Sequence, residues 1–94
     1  MKLIFLLSLV LLSASLSAQT PEELNLQSKE ALDRQDYKKA FPLIKLAAEK
    51  GNAEAEYNYG VCFQQAFEVE KSDSVANIWL RTGKNDLKNS PHVI

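Results

Sequence analysis

Two eight-residue phrases, KKAFPLIK (Lys38–Lys45) and SVANIWLR (Ser74–Arg81), stand 36 residues apart and share one pattern. Each places a small residue (Ala40, Ala76), large apolar residues at i+3 and i+4 (Leu43 and Ile44, then Trp79 and Leu80), and a cation next. Offsets of three and four put these side chains on one face of a helix. Self-similarity at a period of 20–50 residues is the signature of stacked helical hairpins, each of which buries its apolar face on its neighbour. The repeat therefore predicts an all-α chain before any local reading is made.

The N-terminus has a different design. Lys2 precedes an apolar run from Leu3 to Leu12, broken only by Ser8, and then the small-residue stretch Ser13–Ala18. That order is the layout of a secretory signal peptide, 1–18, with cleavage after Ala18 or, as the near alternative, after Ser17. A spanning helix needs about 20 apolar residues, and this run is shorter and ends in serines, so an uncleaved anchor fits less well. No cysteine closes the hydrophobic run, so nothing suggests a lipid-anchored product. The compact signal favours export to a bacterial envelope, periplasmic or secreted, with no stable membrane insertion afterwards.

Removal of Met1–Ala18 leaves 76 residues, with 10 basic against 12 acidic side chains. No basic patch is available to neutralise phosphates, which disfavours nucleic-acid partners. The single cysteine, Cys62, permits no internal disulfide. A small exported domain without such staples must rely on one small core or on a partner.

Four helices are expected in the mature region. Thr20-Pro21-Glu22-Glu23 combines an N-cap hydroxyl, a first-turn proline and a capping-box glutamate, and opens a helix running to about Arg34. Its packed stripe is Leu24, Ser28, Ala31 and Leu32. Asp36 caps a second helix that reaches Lys50 and stops at Gly51, where a left-handed conformation costs glycine little. Pro42 either kinks this helix or delays its start. Asn52 caps a third, about Ala53 to Phe67, in which Gly60 reads as a site of close helix approach. Ser72 or Asp73 caps a fourth that carries Ala76, Trp79 and Leu80 and is expected to fade at Gly83. The aperiodic remainder, 84–94, reads as a flexible tail.

The stretch DYKKAFPLIKLAAEKGNAEAEYNYGVCF with VEKSDSVANIWL resembles the Sel-one-like repeat (SLR) family, relatives of the tetratricopeptide repeats. Ala53, Ala55, Tyr57 and Gly60 match that family's first helix. Asp36, Tyr37, Ala40, Ala47, Ala48, Glu49 and Gly51 match its second, and Val69, Lys71, Ala76 and Trp79 the next copy. A 36-residue period fits this family better than tetratricopeptide repeats, which recur at about 34. The resemblance covers about Leu24–Arg81 and implies an α/α solenoid of about two hairpins, a domain over 19–83, that scaffolds protein–protein contacts. Three departures stand out. Ala66 and Glu68 replace glycines expected before the last helix, implying a longer or differently shaped turn. The second copy loses its ending at Thr82-Gly83-Lys84-Asn85. The second cysteine needed by the family's disulfide-bridged branch is missing.

Few residues could carry chemistry. Cys62 and His92 are the one nucleophile–base pair, but His92 follows Pro91 in the tail, and Cys62 lies among aromatics, where a thiol is a small buried hydrophobe. No metal-ligand spacing or phosphate-binding glycine loop occurs. Glu54 with Glu56, and Glu68 with Glu70, read as solvated faces. Of the aromatics, Trp79 and Phe63 read as core, and Tyr57 as the exposed contact with a partner protein.

The expectation is an exported, non-catalytic interaction scaffold without cofactors, marginally stable alone, whose open end is covered by another protein or by self-association. The competing expectations are a truncated remnant of a longer repeat protein and, less well supported, a secreted enzyme or small-molecule binder.

Overall fold

The computed structural model describes residues 19–89; the signal-peptide reading of 1–18 and His92 in the expected tail lie outside them. Among the described residues there are four helices and no strand: α1 (Pro21–Asp33), α2 (Tyr37–Glu49), α3 (Ala53–Gln65) and α4 (Asp73–Asn89). Each helix packs chiefly on its neighbour in the chain.

The helix starts follow their side-chain caps. The Glu23 amide donates to Thr20 Oγ1 at 3.1 Å, Lys39 to Asp36 Oδ1 at 3.2 Å, and Ala55 to Asn52 Oδ1 at 2.8 Å. Ser72, rather than Asp73, caps α4, accepting from the Val75 amide at 3.3 Å. Each cap satisfies one of the orphan amides of a first turn, a contribution of about 1 kcal/mol. Helix α2 runs unbroken from Tyr37, so Pro42 sits inside it, on the exposed side.

The first two turns are the same motif built on different residues. After α1, the amides of Gln35 and Asp36 return to the carbonyls of Leu32 and Ala31, both at 2.9 Å. After α2, the amides of Gly51 and Asn52 return to Ala48 and Ala47, both at 3.0 Å. This paired return requires a left-handed residue, which is Gly51 at φ 94° in the second turn and Gln35 at φ 59° in the first. In the third turn Ala66 and Glu68 are left-handed at φ 57° and 56°, and the Phe67 amide returns to the Cys62 carbonyl at 3.0 Å. Positions where the sequence lacks the expected glycines therefore keep glycine geometry. They do so against the Cβ–carbonyl clash, which costs roughly 1–2 kcal/mol per residue.

Alanine dominates the core. Ala31, Ala40, Ala47, Ala48, Ala55 and Ala76 are buried together with Leu24, Leu43, Ile44, Tyr59 and Cys62. Ala40 and Ala76, the two ends of the 36-residue spacing, are each the fourth residue of a helix and each 1 % exposed. Their amides close the same first-turn bond, to Asp36 and Ser72 respectively, at 2.9 Å. The side chains that follow differ in environment. Leu43 and Ile44 are buried between helices, whereas Trp79 and Leu80 are half-buried, because α4 has no further helix among the described residues to cover it.

Two helix ends differ from the sequence expectation. Helix α3 stops at Gln65, not Phe67, because the chain turns left-handed at Ala66. Helix α4 does not fade at Gly83. It continues to Asn89, so the expected tail from Lys84 is helical as far as the structure is described. Gly83 is buried in a helix contact and does not act as a stop.

Removing the left-handed strain should stabilise the protein. Ala66→Gly and Glu68→Gly are each expected to raise the unfolding free energy by about 0.5–1 kcal/mol in urea titrations, the relief at φ > 0 outweighing the added freedom of the unfolded chain. Gly51→Ala should lower it by a similar amount.

Candidate functional site

Helices α3 and α4 approach closely enough for backbone to meet backbone, and glycines make this possible from both sides. A Cβ on Gly60 of α3 would stand 2.8 Å from the Leu80 amide nitrogen and 3.0 Å from the Ala76 carbonyl oxygen. A Cβ on Gly83 of α4 would stand 2.6 Å from the Tyr57 nitrogen, 2.9 Å from its Cα and 3.0 Å from the Ala53 carbonyl oxygen. Contacts advance along α3 as they recede along α4, so the pair is antiparallel. The close approach expected at Gly60 is present, and Gly83 supplies its counterpart.

Tyr57 sits at this crossing. Its backbone lies under Gly83 while its side chain is 36 % exposed. The other described aromatics are engaged with one another. Tyr59 is their hub, with ring centroids 5.0 Å from Phe63 and from Trp79, both nearly edge-on, and 5.9 Å from Phe41. Tyr37 and Phe67 stack at 5.0 Å with an interplanar angle of 2°. Such pairs add roughly 0.5–1.5 kcal/mol beyond the area they bury. Phe63 and Trp79 are half-buried against the core. Tyr57 joins none of these ring contacts, which leaves it the aromatic side chain on this face free to meet another surface.

Glu56 corrects the sequence reading. It was expected on a solvated face, yet it is only 5 % exposed, and its Oε1 is buried without a hydrogen-bond partner. Burial, then a hydrogen bond that the protonated Glu56 carboxyl donates to Asp86 on α4 and the negative charge of Asp86, push that carboxyl up to about 7. A signal for this was present in the sequence: Glu56 lies three residues after Ala53 and four before Gly60, on the stripe that faces α4. Glu54 does meet solvent, and pairs with Lys29 of α1 at 3.0 Å. Both partners are well exposed, so the pair adds little stability. Glu68 and Glu70 are exposed, as expected.

Cys62 is buried, and desolvation pushes its thiol up to about 11, far from the range of a nucleophilic cysteine. Burial also raises the Tyr59 phenol, with Glu49 and Cys62 adding to the effect. Among the described residues no group of three or more His, Cys, Asp or Glu could hold a metal ion, and no helix is long and apolar enough to cross a membrane. The described residues form recesses at two helix surfaces, among others. One of about 80 Å³ lies between α1 and α2 at Gln27, Glu30, Arg34 and Lys39. A wider, open one of about 280 Å³ runs along α4 at Asn77, Leu80, Arg81 and Lys84. Both fall below the roughly 300–1,000 Å³ of ordinary small-molecule pockets.

Compared with protein-family models, curated proteins and solved structures, the chain matches none. The site is therefore read from its own geometry: an exposed tyrosine on a close two-helix crossing.

The crossing makes a sharp prediction about Gly83. In a helix interior alanine is ordinarily about 1 kcal/mol better than glycine. Here the atoms a methyl would meet are backbone and cannot swing aside, so Gly83→Ala should lose about 1–3 kcal/mol in chemical denaturation. A gain in stability would show that the contact is absent.

Proposed function

We propose that this protein is an exported, non-catalytic helical-repeat scaffold, of the kind the SLR resemblance implies, which binds another protein through the α3–α4 face presenting Tyr57. The observation that carries the reading is the equivalence of Ala40 and Ala76. Residues 36 apart in the sequence hold the same helical position, the same burial and the same first-turn bond. That equivalence supports two hairpins built on one plan, α1–α2 and α3–α4, stacked as in a short solenoid. Repeat stacks present surfaces, and tyrosine is among the residues that contribute most to protein interfaces.

The open side of α4 supports the same view. Ile78 is 63 % exposed, Trp79 and Leu80 are half-buried, and no further helix among the described residues covers them. Covering this end, by a partner or by a second copy, would bury apolar area that a single small core leaves in water.

Site-specific photo-cross-linking in the native envelope tests the reading. A cross-linker at Tyr57 should trap one defined protein adduct, and the same group at Lys45, exposed on α2, should not. Tyr57→Ala should weaken the purified pair at least about tenfold while leaving the melting temperature nearly unchanged. Equal adducts at both positions, or unchanged affinity, would refute the Tyr57 face. The export part has its own check: intact mass of the envelope fraction should begin at Gln19, or at Ala18, and a full-length mass would count against it.

A further inference from the structure

We propose that the Glu56–Asp86 carboxyl pair is a pH-sensitive latch, holding the end of α4 against the N-terminal half of α3 while the pair shares a proton and releasing it when both groups ionise.

The geometry supplies both halves of such a device. Glu56 is more than nine-tenths buried, with Oε1 lacking any partner, and it faces α4 from the stripe that also carries Ala53 and Gly60. Asp86 stands three residues beyond Gly83, the point where α4 lies on the Tyr57 backbone. Two carboxyls can hydrogen-bond only if one keeps its proton, because a carboxylate pair has no donor. Among the described residues the cations nearby are engaged elsewhere or exposed. Lys29 of α1 is engaged with Glu54, and Lys50 beyond α2 reaches the Gln19 carbonyl at 2.9 Å. Glu49 of α2 acts on Tyr59, and on α4 Lys84 lines the outward recess while Lys88 is exposed at the helix end. Asp86 is the charged group that acts on Glu56, and it adds to the cost of ionising it.

What the latch holds is weakly anchored otherwise. Beyond Gly83, Leu87 alone is half-buried, and Lys84, Asn85, Asp86, Lys88 and Asn89 are exposed. A segment with so few apolar contacts opens at low free energy. Its opening would uncover Glu56 beside the Gly83 contact, so pH would change the border of the face on which Tyr57 sits. The sign follows from proton binding. The latched state holds a proton on Glu56 up to about pH 7, whereas an unlatched glutamate loses it near 4.5. The latch is therefore strongest in mild acid and is lost as pH rises through neutrality.

Two NMR measurements on the protein test this: the carboxyl ¹³C titration of Glu56, and amide exchange of residues 84–89 at pH 5.5 and pH 8, corrected for intrinsic rates. Glu56 should titrate near neutrality, and protection of 84–89 should fall at least about tenfold at pH 8, the equivalent of one pKa unit, while α2 stays unchanged. Glu56→Gln, whose amide donates to Asp86 at any pH, should keep 84–89 protected at both values. Asp86→Asn, which removes the facing charge, should move the Glu56 midpoint toward acid and decides the matter if Glu56→Gln fails to fold. An ordinary glutamate titration, pH-independent protection in the wild type, or an unshifted midpoint in Asp86→Asn would overturn the proposal.

Discussion

The arrangement of α3 on α4 depends on backbone touching backbone at two places, Gly60 against Ala76 and Leu80, and Gly83 against Ala53 and Tyr57. A side chain at either glycine would wedge the helices apart. Because both contacts involve main-chain atoms, the antiparallel register of the pair is fixed to within a turn. Each other feature of this half of the molecule inherits its position from that register. Tyr59 meets Trp79 edge-on, Ala76 disappears from solvent, and Glu56 is brought against Asp86.

The first hairpin solves a different problem. Its own turn at Gln35 and the turn that follows it at Gly51 use the same paired amide return as a helix stop. The return bonds satisfy last-turn carbonyls that would otherwise be left open, and this benefit outweighs the left-handed strain of a non-glycine residue. The same trade recurs at Ala66 and Glu68. The small, alanine-rich core brings the helices close but buries little area per residue, so the chain tolerates strain in its turns with a narrow margin.

Much of this was legible in the chain. Thr20, Asp36 and Asn52 announce helix starts through a short-range mechanism that tertiary structure leaves intact, and the pair Ser72-Asp73 announces a fourth without saying which of the two caps it. Gly51 announced a stop and Gly60 a close approach, and both roles stand in the structure. Gly83 was misread because a glycine near an apparent end of periodicity looks the same whether it stops a helix or admits a neighbouring one; only the α3 backbone distinguishes the two. Glu56 was misread for a related reason. Alternating acids in AEAEY suggest a wet surface, but the helix turns one of them outward to Lys29 and the other inward to α4. Local pattern determines which residues share a stripe, and long-range packing determines what the stripe faces.

The central claim is that Tyr57 is presented by a close helix crossing whose contact point is Gly83. An amide-to-Hα nuclear Overhauser measurement tests it most directly. The account predicts a strong cross-peak between the Tyr57 amide proton and the Gly83 Hα protons, accompanied by contacts between Gly60 Hα and the Leu80 amide. Weak or missing cross-peaks at both glycines, in a protein that is otherwise helical over α3 and α4, would contradict it.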